Sequence, residues 1–194
     1  MSLTPSQMLE LDTPAPTFAL PEPATGNTVS LDDFAGAPLV VAFICNHCPY
    51  VVRIKQGLRD FARDYAKRGV GFVAINANDV ANYPDDSPEK MIADAQRFEY
   101  PFPYLFDEAQ SVAAAYRAAC TPDLFLFDAG HKLVYRGQFD GARPGNGVPV
   151  TGADLRAAAD AMLSGAPVSA EQTPSVGCSI KWKAGNAPAY ISAA

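Results

Sequence analysis

The feature that most constrains the fold of this chain is the pentad Cys-Asn-His-Cys-Pro at positions 45–49, together with the two segments that flank it. Before the pentad lies a short apolar run rich in β-branched residues, 38–44, which is typical of a strand covered on both faces. After it, apolar residues recur at alternating spacings of three and four between Val51 and Tyr65, which predicts an amphipathic helix. The two cysteines are therefore expected where a buried strand leads into a helix.

That junction predicts reactive sulfur. The start of a helix has unpaired backbone N–H groups and the positive end of the helix dipole, which can lower the pKa of a thiol to roughly 3.5–7.5. A C-x-x-C motif places Cys45 and Cys48 one helical turn apart, close enough for a disulfide. A structural disulfide and half of a zinc site are the alternatives, but no second C-x-x-C or H-x-H follows to complete a zinc site. The motif favours thiol–disulfide redox chemistry and leaves its direction open.

Composition and charge argue against several partners. A chain of 194 residues that is 48% hydrophobic fits one domain with a full core and some extension. Its formal charge of −6 comes without a basic stripe, so we expect neither nucleic acid nor a membrane as partner. No leader pattern opens the sequence and no apolar run is long enough to span a bilayer. We therefore expect a cytoplasmic protein, in which a persistent disulfide is usually catalytic.

Beyond the first helix, the chain alternates strand and helix patterns. Residues 70–75 form a second buried strand, expected to lie parallel to the first because a helix connects the two. A polar loop, 76–86, leads to a helix that Ser87 can cap. A short strand at 102–106 and a helix at 111–119 follow. The pattern predicts an α/β protein with a parallel strand pair.

The remainder of the chain predicts a hairpin, a last helix and an arm. Two strand-like runs, 123–127 and 132–136, have the spacing of an antiparallel hairpin. We divide the sequence into a domain of residues 1–165, with an extended N-terminal segment, and a C-terminal arm of residues 166–194 that packs on it. The arm has no sustained periodicity.

One segment of the arm has strand character. Cys178, Ile180 and Trp182 alternate with polar residues. On that alternation we expect the three side chains to share one buried face.

The order of elements resembles the thioredoxin fold, in which a cis-proline opens the strand that faces the redox pair. Thr121-Pro122 stands at that place, just before the predicted hairpin. The resemblance implies an α/β, thioredoxin-like fold: a central mixed β-sheet flanked by helices, with an inserted strand and helix and a C-terminal extension. It also implies a cis Thr121–Pro122 bond.

Four motifs narrow the resemblance. They are ICNHCPY at 44–50, CTPD at 120–123, YRGQFD at 135–140 with RPGN at 143–146, and GCSIKWK at 177–183. Together they are similar to a bacterial peroxiredoxin-like group of the alkyl hydroperoxide reductase/thiol-specific antioxidant type. Peroxiredoxins carry Pro-x-x-x-Thr-x-x-Cys, and on alignment at Cys48-Pro49 this chain has Cys45 in place of that threonine.

The resemblance implies roles for the residues near the pair. In a thioredoxin-like pair the N-terminal sulfur lies at an exposed helix start, so Cys45 is the expected nucleophile and Cys48 the resolving thiol. His47 either favours the thiolate and makes the pair more oxidising, or is a solvated loop residue. Thr121 and Pro122 are the expected supporting residues.

Other candidates have weaker signals. Cys120 adjoins the Thr121-Pro122 loop but is also typical of a small buried residue, and Cys178 is either a strand residue of the arm or a remote resolving thiol. Arg136 and Arg143 follow the hairpin, where they either bind an acidic substrate or a sulfur anion, or belong to an exposed ion-pair cluster. With His47, the four cysteines also allow a metal site.

The sequence thus predicts a cytosolic thiol–disulfide oxidoreductase that cycles Cys45 and Cys48 between dithiol and disulfide. Its expected partners are a protein or small-molecule disulfide and a thiol electron donor, with no cofactor. One rival is a peroxiredoxin-like thiol peroxidase that reduces peroxides. The other is a non-catalytic metal-binding or chaperone-like module.

Overall fold

The strand that precedes the cysteine pair lies at the centre of a mixed sheet in the computed structural model, which describes residues 3–192. The strands are β1 (Leu3–Pro5), β2 (Ala19–Pro21), β3 (Thr28–Ser30), β4 (Leu39–Phe43), β5 (Gly71–Asn76), β6 (Tyr104–Phe106), β7 (Cys120–Thr121), β8 (Asp123–Phe127), β9 (Leu133–Gly137) and β10 (Val176–Ser179). The helices are α1 (Pro49–Ala66), α2 (Pro88–Phe98), α3 (Ser111–Ala115), α4 (Ala153–Leu163) and α5 (Ala189–Ser192), with short 3-10 turns at Leu31–Phe34 and Pro84–Asp86.

The central sheet has five strands in the order β6-β5-β4-β8-β9. β4, β5 and β6 are parallel to one another, whereas β8 pairs antiparallel with both β4 and β9. The parallel pair, the antiparallel hairpin and the mixed sheet predicted from the sequence are therefore present. Two smaller sheets, β2-β3 and β1-β10-β7, lie beside it.

Strand β4 is buried on both faces, as its apolar composition predicts. Val40 and Ala42 face a cluster that contains the apolar side of α1, whereas Leu39, Val41 and Phe43 face a second cluster on the opposite face of the sheet. Each large apolar side chain buried in this way stabilises the fold by about 1.5–3 kcal/mol. The end of β4 is consequently a rigid position for the residues that follow it.

Helix α1 covers the first of these clusters. Its buried apolar residues have the predicted spacing: Val51, Ile54, Leu58, Phe61 and Tyr65. Pro49 is its first residue, a position where the missing backbone N–H costs nothing. None of the helices in the range 3–192 is long and apolar enough to cross a membrane.

Helix α3 is shorter than the sequence predicts, because it ends at Ala115 and not at residue 119. Arg117 has a φ of 52°, in the left-handed region that a right-handed helix excludes. The chain then enters β7, and the peptide bond between Thr121 and Pro122 is cis. The predicted cis-proline is confirmed.

The C-terminal segment contacts this region. β10 pairs antiparallel with β7 on one side and with β1 on the other, so that Cys178 lies opposite Thr121. Cys178 is 5% exposed and belongs to the α1 cluster, whereas Ile180 and Trp182 pack on the opposite face of the central sheet. The prediction of one shared buried face is wrong, because β10 ends at Ser179 and its alternation stops there. The division at residue 165 stays a prediction.

Arg136 is not in an exposed ion-pair cluster, and that part of the sequence interpretation is wrong. Its side chain is fully buried, and its guanidinium donates to Asp123 Oδ2 at 3.1 Å and to the carbonyl oxygens of Tyr116 and Arg117. The guanidinium carbon also lies 4.1 Å from the centre of the Phe125 ring. The arginine joins the end of α3 to the hairpin.

We expect Arg136→Met to destabilise the protein strongly, because it leaves the Asp123 carboxylate buried without its ion-pair partner. The expected loss is about 3–5 kcal/mol in the free energy of unfolding. Arg63→Met is the matched control, since Arg63 pairs with Glu99 at 3.1 Å on the surface, and its loss should stay under about 1 kcal/mol. Urea unfolding measures both values, and equal losses would contradict the structural role of Arg136.

Candidate functional site

The cysteine pair lies at the predicted junction. Ile44, directly after β4, donates its N–H to Ile75 O at 3.0 Å, and the chain then turns so that Cys48 becomes the N-cap residue of α1. Cys45 and Cys48 are thiols and are not joined by a disulfide. The second cysteine, not the first, thus occupies the immediate start of the helix.

Cys48 is fully buried and is surrounded by hydrogen-bond donors. The thiol of Cys45, the backbone N–H of Val51 and both the thiol and the backbone N–H of Cys178 favour its ionised form, so the pKa of Cys48 is lowered despite its burial. One contact acts in the other direction, because the Cys48 thiol donates to Thr121 O at 3.1 Å and a thiolate cannot. The hydrogen bonds that favour the thiolate outweigh this contact and the burial, so the pKa of Cys48 lies below its ordinary value.

Cys45 has the opposite environment. Its pKa is raised, because its proton is held by the Cys48 sulfur, its sulfur is buried and the negative charge of Asp86 lies nearby. Its sulfur lies 3.4 Å from Thr121 Oγ1. Cys45 is only 1% exposed, so the expectation of an exposed N-terminal sulfur is wrong: Thr121 and the loop that carries Asp86 close over it.

His47 points toward the same loop. Its Nδ1 lies 2.8 Å from Asp86 Oδ2, although the two atoms are not aligned as a hydrogen bond, and its ring stacks on Tyr83 with 6.0 Å between ring centres. The side chain is 24% exposed. His47 is therefore not fully solvated, and it forms an ion pair with Asp86 when it is protonated.

Asp86 is a site residue that the sequence analysis missed. It is fully buried, and its Oδ1 accepts the backbone N–H of Asn46 at 2.8 Å while its Oδ2 accepts Asn78 Nδ2 at 2.7 Å. These bonds fix the turn between the two cysteines. The polar loop 76–86 gave no signal for this role, because only the tertiary fold brings it against the pair.

Lys55 is the second missed residue. It is 2% exposed, and its Nζ donates to Asn46 O at 2.9 Å and to Asp94 Oδ1 at 2.7 Å. Tyr104 donates its hydroxyl to Asn46 Oδ1 at 3.0 Å. A signal for Lys55 was available, since it lies four residues after Val51 on the buried face of α1.

One group of side chains could in principle hold a metal ion. The ligand atoms of Cys45, His47 and Asp86 all lie within 4.8 Å of one another. This set differs from the one suggested by the sequence, which combined the four cysteines with His47. Both oxygens of Asp86 already accept hydrogen bonds from asparagine groups, so the carboxylate does not need a metal to balance its burial.

Two further cysteines lie near the pair in different settings. Cys120 is fully buried and donates to Pro122 O at 3.5 Å, and burial raises its pKa, as expected for a small core residue. Burial, together with the neighbouring Cys48 sulfur, raises the pKa of Cys178 to about 11.

The hydrogen bonds of the two candidate arginines go to oxygen atoms and not to the cysteine pair. Arg136 is held by Asp123, as described above. Arg143 donates to Asp140 O at 2.7 Å and to Ala142 O at 2.8 Å, and it lines a narrow cleft with Tyr50 and Pro122 on the far side of the proline. The charge of Arg136 favours ionisation of Cys120, but burial outweighs it and the pKa of Cys120 is raised.

Solved structures with this architecture are known. The chain is 54% identical to an uncharacterized conserved protein from Geobacillus kaustophilus, over 94% of this chain and 97% of the other, with a TM-score of 0.92. It is 54% identical to a hypothetical protein from Sinorhizobium meliloti 1021, over 94% of this chain and all of the other, with a TM-score of 0.91. A thiol:disulfide interchange protein of the thioredoxin family from Chlorobium tepidum TLS is 18% identical over 80% of this chain and 99% of the other, with a TM-score of 0.62.

The last of these likenesses shows the fold, which is thioredoxin-like, as the order of elements predicts. No curated protein is significantly similar to the chain. The AhpC/TSA family matches residues 11–136, more than half of the sequence and including the cysteine pair and the cis-proline. The chain therefore belongs to the AhpC/TSA family.

Proposed function

We propose that the protein is a thiol–disulfide oxidoreductase in which Cys45 and Cys48 cycle between dithiol and disulfide. The observation that carries the proposal is the placement of two adjacent thiols at a helix start, where both contact Thr121. One thiol of the pair stabilises the thiolate of the other, which is the state that disulfide exchange needs. Membership of the AhpC/TSA family supports thiol-based redox chemistry in general.

The order of attack follows from the lowered pKa of Cys48. Its thiolate attacks one sulfur of a substrate disulfide, and the other substrate sulfur leaves and takes up a proton. Cys45 then loses its proton and attacks Cys48, which releases the second substrate thiol and leaves a Cys45–Cys48 disulfide. This order reverses the roles that the sequence resemblance implied, because Cys48 and not Cys45 is the N-cap residue.

Supporting residues act on this pair. Thr121 holds both sulfurs, through its hydroxyl oxygen beside Cys45 and its carbonyl oxygen beside Cys48. Pro122 fixes the direction of that carbonyl, since it has no free backbone torsion about N–Cα. The negative charge of Asp86 opposes ionisation of Cys45. His47 acts through Asp86, because a protonated imidazole beside the carboxylate compensates that charge. A cytosolic location, a disulfide substrate and a thiol donor complete the proposal.

A peroxidase is the second candidate, favoured by the same Cys48. A buried thiolate at a helix start attacks the terminal oxygen of a peroxide, the O–O bond breaks, and water or an alcohol leaves. Cys45 then condenses with the Cys48 sulfenic acid to give the disulfide and a second water. The AhpC/TSA family match supports this candidate.

We expect Cys48→Ser to abolish insulin reduction, because it removes the attacking thiolate. Cys45→Ser should instead keep the first attack and accumulate a mixed disulfide with the substrate, detectable by mass spectrometry of the intact protein. Cys120→Ser is the control, since Cys120 has no role in the cycle, and its turnover should match the wild type. A mixed disulfide on Cys45 in the Cys48→Ser protein would restore the order implied by the sequence.

The ionisation of Cys48 gives a pH prediction. Thiolate absorbance at 240 nm should show one thiol that ionises well below the ordinary value of about 8.5. Because its folded pKa is lowered, the thiolate persists as pH falls through neutrality and is lost only in acid. Cys45→Ala should move the transition to higher pH, since it removes a donor to the Cys48 sulfur. The low-pH thiolate should be absent in Cys48→Ala, and its survival there would assign it to another cysteine.

Peroxide reactivity separates the two candidates. A peroxidase should be oxidised by hydrogen peroxide orders of magnitude faster than free cysteine, whereas a disulfide reductase should not. Stopped-flow measurement of intrinsic fluorescence follows the oxidation, with Cys48→Ser as the unreactive control. A rate equal to that of free cysteine would leave the disulfide exchange as the remaining activity.

A further inference from the structure

A strand of the C-terminal segment lies directly on the redox pair. β10 pairs with β7 so that Cys178 is opposite Thr121, the residue that contacts both Cys45 and Cys48. The three sulfurs are therefore gathered around one residue. Cys178 is 5% exposed, compared with 1% for Cys45 and none for Cys48, which makes it the outermost of the three.

Cys178 is in direct contact with Cys48. It pairs with Thr121, whose carbonyl oxygen lies 3.1 Å from the Cys48 sulfur, and both cysteines are buried in the same core cluster. The two thiols also shift each other's pKa, as neighbouring groups do, and a disulfide between them would need the sulfurs to approach to about 2.05 Å. Cys48 thus has two neighbouring thiols, Cys45 on its own turn and Cys178 on β10.

Gly177 permits this close approach. A Cβ atom at this position would lie 1.9 Å from Thr121 O and 2.7 Å from Thr121 C, so only glycine fits against that backbone. Ser175 adds an anchor, because its hydroxyl donates to Pro122 O at 2.6 Å. The segment 175–178 is held against residues 121–122 by backbone fit and hydrogen bonds, and the position of Cys178 follows.

We propose that Cys178 is a third redox cysteine. It replaces Cys45 as the partner of Cys48 in the disulfide, and the thiol donor then reduces the Cys48–Cys178 disulfide. The proposal deepens the proposed function and rests on it, since it begins from the Cys45–Cys48 disulfide.

The exchange balances without an added oxidant. The Cys178 thiolate attacks Cys48 Sγ, a Cys48–Cys178 bond forms, the Cys45–Cys48 bond breaks, and Cys45 leaves as a thiolate that takes the proton Cys178 gave up. A donor thiolate then attacks Cys178, which releases Cys48 as a thiolate. A second donor thiol attacks the resulting mixed disulfide, which frees Cys178 and yields the donor disulfide.

The electrostatics of the oxidised pair favour the first step. The raised pKa of Cys178 has two main causes, its burial and its interaction with Cys48. Once the Cys48 sulfur is part of a disulfide it has no negative charge, so the second cause disappears and the pKa of Cys178 falls toward its ordinary value. Cys178 therefore becomes a better nucleophile at the stage when it has to attack.

The test is disulfide mapping of oxidised Cys45→Ala protein. This variant is treated with one equivalent of diamide, remaining thiols are alkylated, and tryptic peptides are analysed without reduction. Cys48, Cys120 and Cys178 fall on three different tryptic peptides, so each linkage has its own mass. We expect most of the linked material to be Cys48–Cys178, and none of it in the matched Cys45→Ala/Cys178→Ser protein. Linkage to Cys120, or only intermolecular dimers, would overturn the proposal.

A second experiment covers the case in which Cys45→Ala does not fold. Wild-type protein is oxidised and quenched in acid over a time course, and fragmentation of the linked peptides identifies the sulfur bonded to Cys178. We expect the Cys45–Cys48 disulfide first and Cys48–Cys178 later. Gly177→Ala should suppress the later species, because it forces β10 away from Thr121, while the earlier one still forms.

These results separate the two proposals. Failure of Cys45–Cys48 to form in Cys178→Ser protein would remove the proposed function itself. Formation of Cys45–Cys48 without any Cys48–Cys178 linkage in the two experiments would remove only the role of Cys178.

Discussion

The site depends on the contacts of Thr121. Its hydroxyl oxygen lies 3.4 Å from the sulfur of Cys45 and its carbonyl oxygen 3.1 Å from that of Cys48, while its backbone pairs with Cys178. One residue thus joins the helix start, the cis-proline and the C-terminal strand. Its own position is fixed by β8, which begins after Pro122 and pairs with the buried β4. A displacement of the central sheet would therefore move Thr121 and change its contacts with Cys45, Cys48 and Cys178.

Burial alone would raise the pKa of every cysteine here, and that is what happens at Cys120. Cys48 is the exception because donors converge on it from its own helix, from Cys45 and from β10. The pKa values of Cys45 and Cys178 are raised in turn, because a thiol that donates a hydrogen bond to Cys48 keeps its proton more firmly. The hydrogen bonds of the cluster therefore favour ionisation of Cys48 over that of Cys45 and Cys178.

The sequence predicted those features that depend on local pattern. The buried strand β4, the helix α1 and the hairpin follow from apolar spacing, and the cis Thr121–Pro122 bond followed from the family resemblance. It did not predict the buried position of Asp86, because a charged residue in a polar loop gives no local sign that a distant partner will cover it, whereas the spacing of Lys55 from Val51 did carry a signal. The exposure assigned to Cys45 failed for the same reason that Asp86 was missed.

The cover over the pair bears on which substrate it meets. Cys45 and Cys48 have almost no exposed surface, and the backbone of Thr121 is already paired with β10. β10 is part of this cover, and separating it from Thr121 to admit a protein disulfide would cost the hydrogen bonds of that pairing and the one from Ser175. A peroxide is small enough to need much less displacement. Moving the residues that cover Cys48 therefore costs more for a protein disulfide than for a peroxide.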